Sequence, residues 1–179
     1  MTLYCAWLQL LLPLLTTGNL LSPITVTPAL YGSDMTLDCN FLPASMLNDQ
    51  FLVVTWQHSQ EGRGDMVVHS YYYEKDQLDL QDKVYRNRTQ LFPEKFPQGN
   101  ASLRLMDLRL EDGGLYTCTV NTQIGSTTSR IQLVIAAPYR DPHLILALLD
   151  QQQSSITLKV VTGGGYPEAK VWWTNQTGK

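Results

Sequence analysis

Basic residues are scarce and dispersed: the 13 Lys and Arg nowhere run together, none precedes Arg63, and the net charge is -3. Nucleic-acid binding needs a basic stripe or patch, so that class of partner is excluded. No polybasic segment is present to hold a membrane surface. No catalytic constellation is present either. His58, His69 and His143 are scattered without the spacing of metal ligands. No serine sits in a Gly-x-Ser-x-Gly elbow. Gly163-Gly164-Gly165 leads into Tyr166-Pro167 and not into a helix that would cradle phosphate. The chain therefore reads as a binding module that is not an enzyme and has no cofactor, metal or small-molecule substrate. No apolar run reaches the ~20 residues that span a bilayer, and no tail suits a lipid anchor.

What is present begins with an address. Leu8 to Leu15 reads Leu-Gln-Leu-Leu-Leu-Pro-Leu-Leu, and Thr16, Thr17 and Gly18 follow. This is the apolar region and cleavage zone of a signal peptide, expected over residues 1–18. Cys5 leaves with it. Cys39 and Cys118 remain as an even pair in an oxidising compartment, which favours a disulfide. Sequons at Asn87-Arg88-Thr89, Asn100-Ala101-Ser102 and Asn175-Gln176-Thr177 agree with secretion. The expected location is secreted, or the outer side of the plasma membrane if the chain is a fragment of a membrane protein.

From Ile24 to Val134 the pattern is strand, turn, strand. Met35, Leu37 and Cys39 alternate with polar residues, as do Leu52, Val54 and Trp56; Tyr116, Cys118 and Val120; and Ile131, Leu133 and Ile135. Period-two patterns with regular turn signals indicate an all-β sandwich. Trp56 lies 17 residues after Cys39, and Tyr116 lies two before Cys118. An immunoglobulin sandwich needs an inter-sheet disulfide, a Trp packed on it, and a Tyr that ties the corner before strand F. The segment Asp112-Gly113-Gly114-Leu115-Tyr116-Thr117-Cys118 fits that frame, and Asp112 is expected to pair with Arg88 across the bottom of the domain. Cross-linking a loop of this length contributes about 4 kcal/mol. The distance between the cysteines leaves room for two extra strands, one of them supplied by Met66 to Tyr73, so the domain is expected to be V-type, over residues 19–136.

Ala136-Ala137-Pro138-Tyr139 marks a boundary. Beyond it, Leu144 to Leu149, then Ile156, Leu158 and Val160, then Val171 and Trp173 read as strands A, B and C of an incomplete C-type immunoglobulin domain over residues 137–179. Val160 stands where the strand B cysteine would be.

Several segments in order carry a resemblance: Arg88 to Phe92, Gly99 to Leu103, Asp112 to Cys118, Ala137-Pro138-Tyr139, and Gly165-Tyr166-Pro167-Glu168-Ala169-Lys170-Val171-Trp172-Trp173. Together they resemble the butyrophilin-like co-stimulatory and co-inhibitory ligands, nearest the programmed death ligand branch. The resemblance implies a membrane glycoprotein whose V domain binds a T-cell co-receptor through its G-F-C-C′ face and modulates T-cell activation; as this chain is written, it would be a soluble or fragment form. The implied face is Val53, Thr55 and Gln57 on strand C; His69 and Tyr71 on C′; Thr117, Thr119 and Asn121 on F; and Thr128, Arg130 and Gln132 on G. At the positions of Thr55, Thr119 and about Thr128 the programmed death ligands carry large anchors, where this chain has small hydroxyls.

Sequon placement agrees with that face independently, because no sequon falls on strands C, C′, F or G. The face is polar and Thr-rich, which suits a transient contact. Of Tyr71, Tyr72 and Tyr73, alternation turns at least one inward. Arg63-Gly64-Asp65, in the hairpin after Trp56, resembles the integrin recognition tripeptide, although Gly and Asp are also ordinary hairpin residues. The alternative function is an immunoglobulin-superfamily adhesion module. An antigen receptor is disfavoured, since Gly125 to Arg130 lacks the Phe-Gly-x-Gly that opens strand G in that class.

Overall fold

A computed structural model describes residues 23–43, 51–60, 62–150 and 155–171. The expected signal peptide, Trp173 and Asn175 lie outside these residues. The strands are β1 (Ile24–Leu30), β2 (Met35–Leu37), β3 (Val53–Ser59), β4 (Met66–Tyr72), β5 (Lys75–Asp76), β6 (Thr89–Gln90), β7 (Leu103–Leu105), β8 (Gly114–Thr122), β9 (Gly125–Ala136), β10 (His143–Asp150) and β11 (Ser155–Val161). One sheet has the order β1-β9-β8-β3-β4-β5, and a second has the order β2-β7-β6. β1 runs parallel to β9, and the other neighbours are antiparallel. β3, β4, β8 and β9 are strands C, C′, F and G.

Successive side chains of a strand point to opposite faces, and the two sheets bury the matching sets. Val54, Trp56 and His58 of β3 face inward, as do Tyr116, Cys118 and Val120 of β8, and Ile131, Leu133 and Ile135 of β9. Leu37, Leu103 and Leu105 meet them from the smaller sheet. Cys39 and Cys118 are bonded across the layers, with Cα atoms 6.3 Å apart. Trp56 is paired directly with Cys118 in the ladder and is fully buried. Its indole N–H donates to the Ala101 carbonyl at 3.0 Å, so the one polar atom of the ring is satisfied.

The bottom of the sandwich is closed by Arg88 and Asp112, both buried. All five N–H groups of the guanidinium have acceptors. Nε donates to Met106 O at 3.1 Å, Nη1 to Val84 O at 3.0 Å and Asp112 Oδ1 at 3.2 Å, and Nη2 to Asp107 O at 2.8 Å and to Asp112 Oδ2. Burial opposes the charge on Arg88, and the hydrogen bonds and field of Asp112 more than offset it. Asp112 also accepts from the Arg109 N–H at 2.8 Å, and its carbonyl accepts from the Tyr116 hydroxyl at 2.9 Å. That last bond is the tyrosine corner.

Past Ala136 the chain makes a separate two-stranded sheet of β10 and β11. It is tied back by a reciprocal bridge, Ala137 N to Tyr166 O at 2.9 Å and Tyr166 N to Ala137 O at 3.0 Å. Leu144, Ile145 and Leu158 of this sheet are exposed.

Removing one partner of a buried ion pair leaves the other charge uncompensated. Arg88→Ala is therefore expected to lower unfolding stability by about 3–5 kcal/mol. Arg88→Lys is expected to recover only part of this, because an ammonium has three donors where the site uses five. Arg104→Ala, which opens the exposed Arg104–Asp34 pair, is expected to leave the denaturation midpoint nearly unchanged. Equilibrium urea unfolding of the three variants checks the ordering.

Candidate functional site

The outer surface of the six-stranded sheet is built in cross-strand rows. Thr128, Thr119, Thr55 and Ser70 lie side by side across β9, β8, β3 and β4. The next row is Arg130, Thr117, Gln57 and Val67, and the one beyond it is Gln132, Leu115 and Ser59. On the other side of the Thr row lie Ser126, Asn121 and Val53. Val53, Thr55, Gln57, Thr117, Thr119, Thr128, Arg130 and Gln132 are half-buried, and Asn121 is exposed. β1 extends the face beyond β9, placing Ile24 beside Arg130 and Val26 beside Gln132, both exposed. Arg130 makes no ion pair among the described residues.

Two residues assigned to this face from the sequence do not belong to it. His69 is 2% exposed and Tyr71 is 6% exposed. The cause is a β-bulge. Gln57 pairs with Val67 but Trp56 pairs with His69, so Val68 is an extra residue and the alternation of β4 reverses there. His69 then shares the inward side with Trp56, and Tyr71 with Val54. The Tyr71 ring sits edge-on to Phe96, centroids 4.9 Å apart. The His69 Nδ1 meets Thr89 Oγ1 at 2.8 Å, and its Nε2 meets Asp76 Oδ1 at 3.0 Å. The reversal turns Tyr72 away from the core, and its side chain is half-buried. Tyr73 follows at the β4–β5 turn, 73% exposed, with its ring edge-on to Tyr72 at 5.3 Å. Tyr73 and Glu74 both have positive φ, 54° and 61°. Neither is a residue that favours that region.

The sequons are woven into the packing. Thr89 Oγ1 accepts from Gln81 Nε2 at 2.8 Å besides meeting His69, and Asn87 has φ 60°. Ser102 Oγ accepts the Cys39 N–H at 3.1 Å, and Asn100 Oδ1 accepts the Ser102 N–H at 2.9 Å. Asn87 is exposed and Asn100 half-buried; Asn100 bridges to Asn40 at the edge of the smaller sheet.

No residue pattern in the sequence marks the partners of His58. His58 is fully buried. Its ring stacks on Tyr116, centroids 4.4 Å apart and 6° from parallel. Nε2 lies 3.3 Å from the Gly113 carbonyl, which can only accept, so Nε2 carries the proton. Nδ1 then accepts from the Tyr85 hydroxyl at 2.5 Å. Gly114, at φ 146°, leaves room for this ring, since a Cβ there would lie 2.3 Å from Nε2. Burial lowers the His58 pKa from its ordinary 6.5, against the opposing pull of Gly113 O and Asp112. Among the described residues, no group of three His, Cys, Asp or Glu is arranged to hold a metal.

The Arg63-Gly64-Asp65 segment is exposed at the β3–β4 hairpin, away from this face's centre. No helix among the described residues is long and apolar enough to cross a membrane.

The immunoglobulin V-set domain matches residues 23–136, and the chain belongs to that family. Its relatives are members of the B7 group of butyrophilin-like ligands. The CD276 antigen homolog of Xenopus laevis is 34% identical over 178 residues, 96% of this chain and 55% of that protein. Programmed cell death 1 ligand 1 of Mus musculus is 34% identical over 145 residues, 81% of this chain and 47% of that one. The human V-set domain-containing T-cell activation inhibitor 1 is 33% identical over the same length, covering 81% and 48%. The chain spans about half the length of these relatives. The crystal structure of the human B7-H4 IgV-like domain superimposes with a TM-score of 0.56 at 31% identity, covering 65% of this chain and 96% of that one. These relatives are immunoglobulin-domain immune ligands, not enzymes.

Two outcomes are expected. Above the ordinary His pKa of 6.5, His58 is neutral in both folded and unfolded chains and contributes no pH dependence. Below it the unfolded chain takes up a proton that the folded chain refuses, so stability falls as pH falls. Unfolding at about pH 7.5 and about pH 5.5 should show this loss, and His58→Phe should reduce the pH dependence. The second outcome concerns the sequon at Asn87. Asn87→Gly removes it at a left-handed position that glycine tolerates, and should leave the unfolding midpoint of enzymatically deglycosylated protein unchanged. Thr89→Ala removes the same sequon and also strands the buried Gln81 and His69, which should cost about 1–3 kcal/mol.

Proposed function

We propose that the V-set domain binds a protein receptor on T cells through the outer face of β9, β8, β3 and β4, and thereby modulates T-cell activation. The observation that carries this reading is the face itself: a broad open sheet surface on which no sequon falls, while Asn87 and Asn100 lie off it. A glycan excludes protein contact, so the sequon-free sheet is the surface left for a partner. The relatives support the class of partner, since their names describe a ligand of programmed cell death 1 and an inhibitor of T-cell activation. The location that fits is the extracellular side, in keeping with the Cys39–Cys118 disulfide. Residues 137–179 are read as the opening of a C-type domain, which the β10–β11 pairing supports.

The centre of the face is a row of hydroxyls, which suits a weak, wet contact. Its aromatic anchors are Tyr72 and Tyr73 at one end, and its cation is Arg130. Tyr and Arg dominate interface energetics, particularly where they are rigidly held.

Tyr72→Ala and Arg130→Ala are each expected to weaken binding of multimerised chain to T cells by roughly 1–2 kcal/mol, with unfolding unaffected. Tyr71→Ala should instead lower stability through loss of a core ring, and Arg104→Ala on the smaller sheet should do neither. Flow cytometry paired with thermal unfolding separates the three behaviours. Retained binding by both face variants, with loss in Arg104→Ala, would place the contact on the other sheet. Absence of binding to every T-cell subset, with capture of a second copy on apposed cells, would favour adhesion.

A further inference from the structure

The β3–β4 hairpin carries a feature that neither the fold nor the proposed receptor face accounts for. The loop from Gln60 to Asp65 begins with a turn in which Arg63 N–H donates to Gln60 O at 3.0 Å, with Gly62 at φ 76°. A left-handed third turn position favours glycine, so the backbone explains Gly62. It does not explain Gly64. The φ of Gly64 is not in the left-handed range, and a Cβ built there meets nothing within 4 Å. An alanine would fit as well as glycine. Arg63, Gly64 and Asp65 are all exposed, and Arg63 makes no ion pair among the described residues. Asp65 is held at the loop's base by Ser59, whose hydroxyl donates to Oδ1 at 2.6 Å, and no described group hydrogen-bonds its other oxygen.

Each residue therefore offers something the domain does not itself use. Arg63 offers a guanidinium, which pairs bidentately with carboxylates. Asp65 offers a carboxylate oxygen already oriented by a neighbour, a hard ligand for Mg²⁺ or Mn²⁺. Gly64 offers a stretch of backbone with no side chain between the two, over which a partner can close.

We propose that this hairpin is a second binding site, docking an integrin-type receptor that presents a divalent cation with an open coordination position beside an acidic pocket. Asp65 completes the cation's coordination shell, and Arg63 enters the acidic pocket. The site is independent of the T-cell receptor face. The contact uses loop residues only, and the cation belongs to the receptor.

The test is solid-phase binding of a purified Arg-Gly-Asp-recognising integrin ectodomain, loaded with Mn²⁺, to the immobilised full chain. Binding should be abolished by chelation and by a short linear Arg-Gly-Asp peptide. Asp65→Glu and Gly64→Ala should each weaken it by about tenfold or more, with unfolding midpoints unchanged. The glycine variant is the sharper of the two, because the free protein has room for the added methyl and only a closing partner would reject it. Tyr72→Ala and Arg130→Ala should bind the ectodomain normally, so failure of the T-cell reading and failure of this one are distinguishable. No binding, binding that survives chelation, or binding that tolerates both loop variants would overturn the proposal.

Discussion

The structure depends on the packing of Trp56 against the bond that joins its two sheets. Trp56 pairs with Cys118 in the large sheet, while its indole N–H reaches Ala101 at the edge of the small one. Once that ring is inside, the parity of β3 is set. Val54 and His58 must follow it inward, and Val53, Thr55 and Gln57 must face solvent. The ladders carry the same parity to β8 and β9, so the composition of the outer face is a consequence of where one indole is buried. Large apolar residues sit in the rows beneath it, and hydroxyls and amides are left on top.

A second set of interactions closes the lower end. Arg88, Asp112, Tyr116, Tyr85 and His58 form one connected group in which charge, hydroxyl and ring contacts follow one another. Burial raises the pKa of both tyrosines, above all Tyr116, so their hydroxyls stay neutral donors. The His58 tautomer is dictated by a carbonyl on one side and a hydroxyl on the other. A second proton on the ring would meet the Tyr85 O–H head-on unless that hydroxyl turned.

Much of this was legible in the residues. The Cys39, Trp56, Tyr116 and Cys118 offsets specify a sandwich, and period-two patterns set the facing of β3, β8 and β9. Simple alternation fails on β4, where Val68 is an extra residue opposite β3. A bulge is a local change in residue count opposite a partner strand, and no residue in Met66 to Tyr72 is a Gly or Pro that would announce it. The roles of His58 and of the sequon hydroxyls were invisible for a different reason. Each depends on contacts between residues far apart in the chain: Tyr85 lies 27 residues from His58, and Ser102 lies 63 from Cys39. Spacing motifs capture partners only where a family has made the offset familiar.

The hydroxyl of Ser102 has a consequence for the order of events during synthesis. In the finished domain it is bonded to the amide of Cys39, the residue that forms the inter-sheet disulfide, and Ser102 is only 5% exposed. Ala101 between the two sequon positions is bonded to Cys39 O and to the Trp56 indole. An enzyme that reads Asn-x-Ser as an extended strand would find neither its hydroxyl nor its backbone available. Any sugar transfer to Asn100 therefore has to come before the sandwich closes around Cys39 and Trp56.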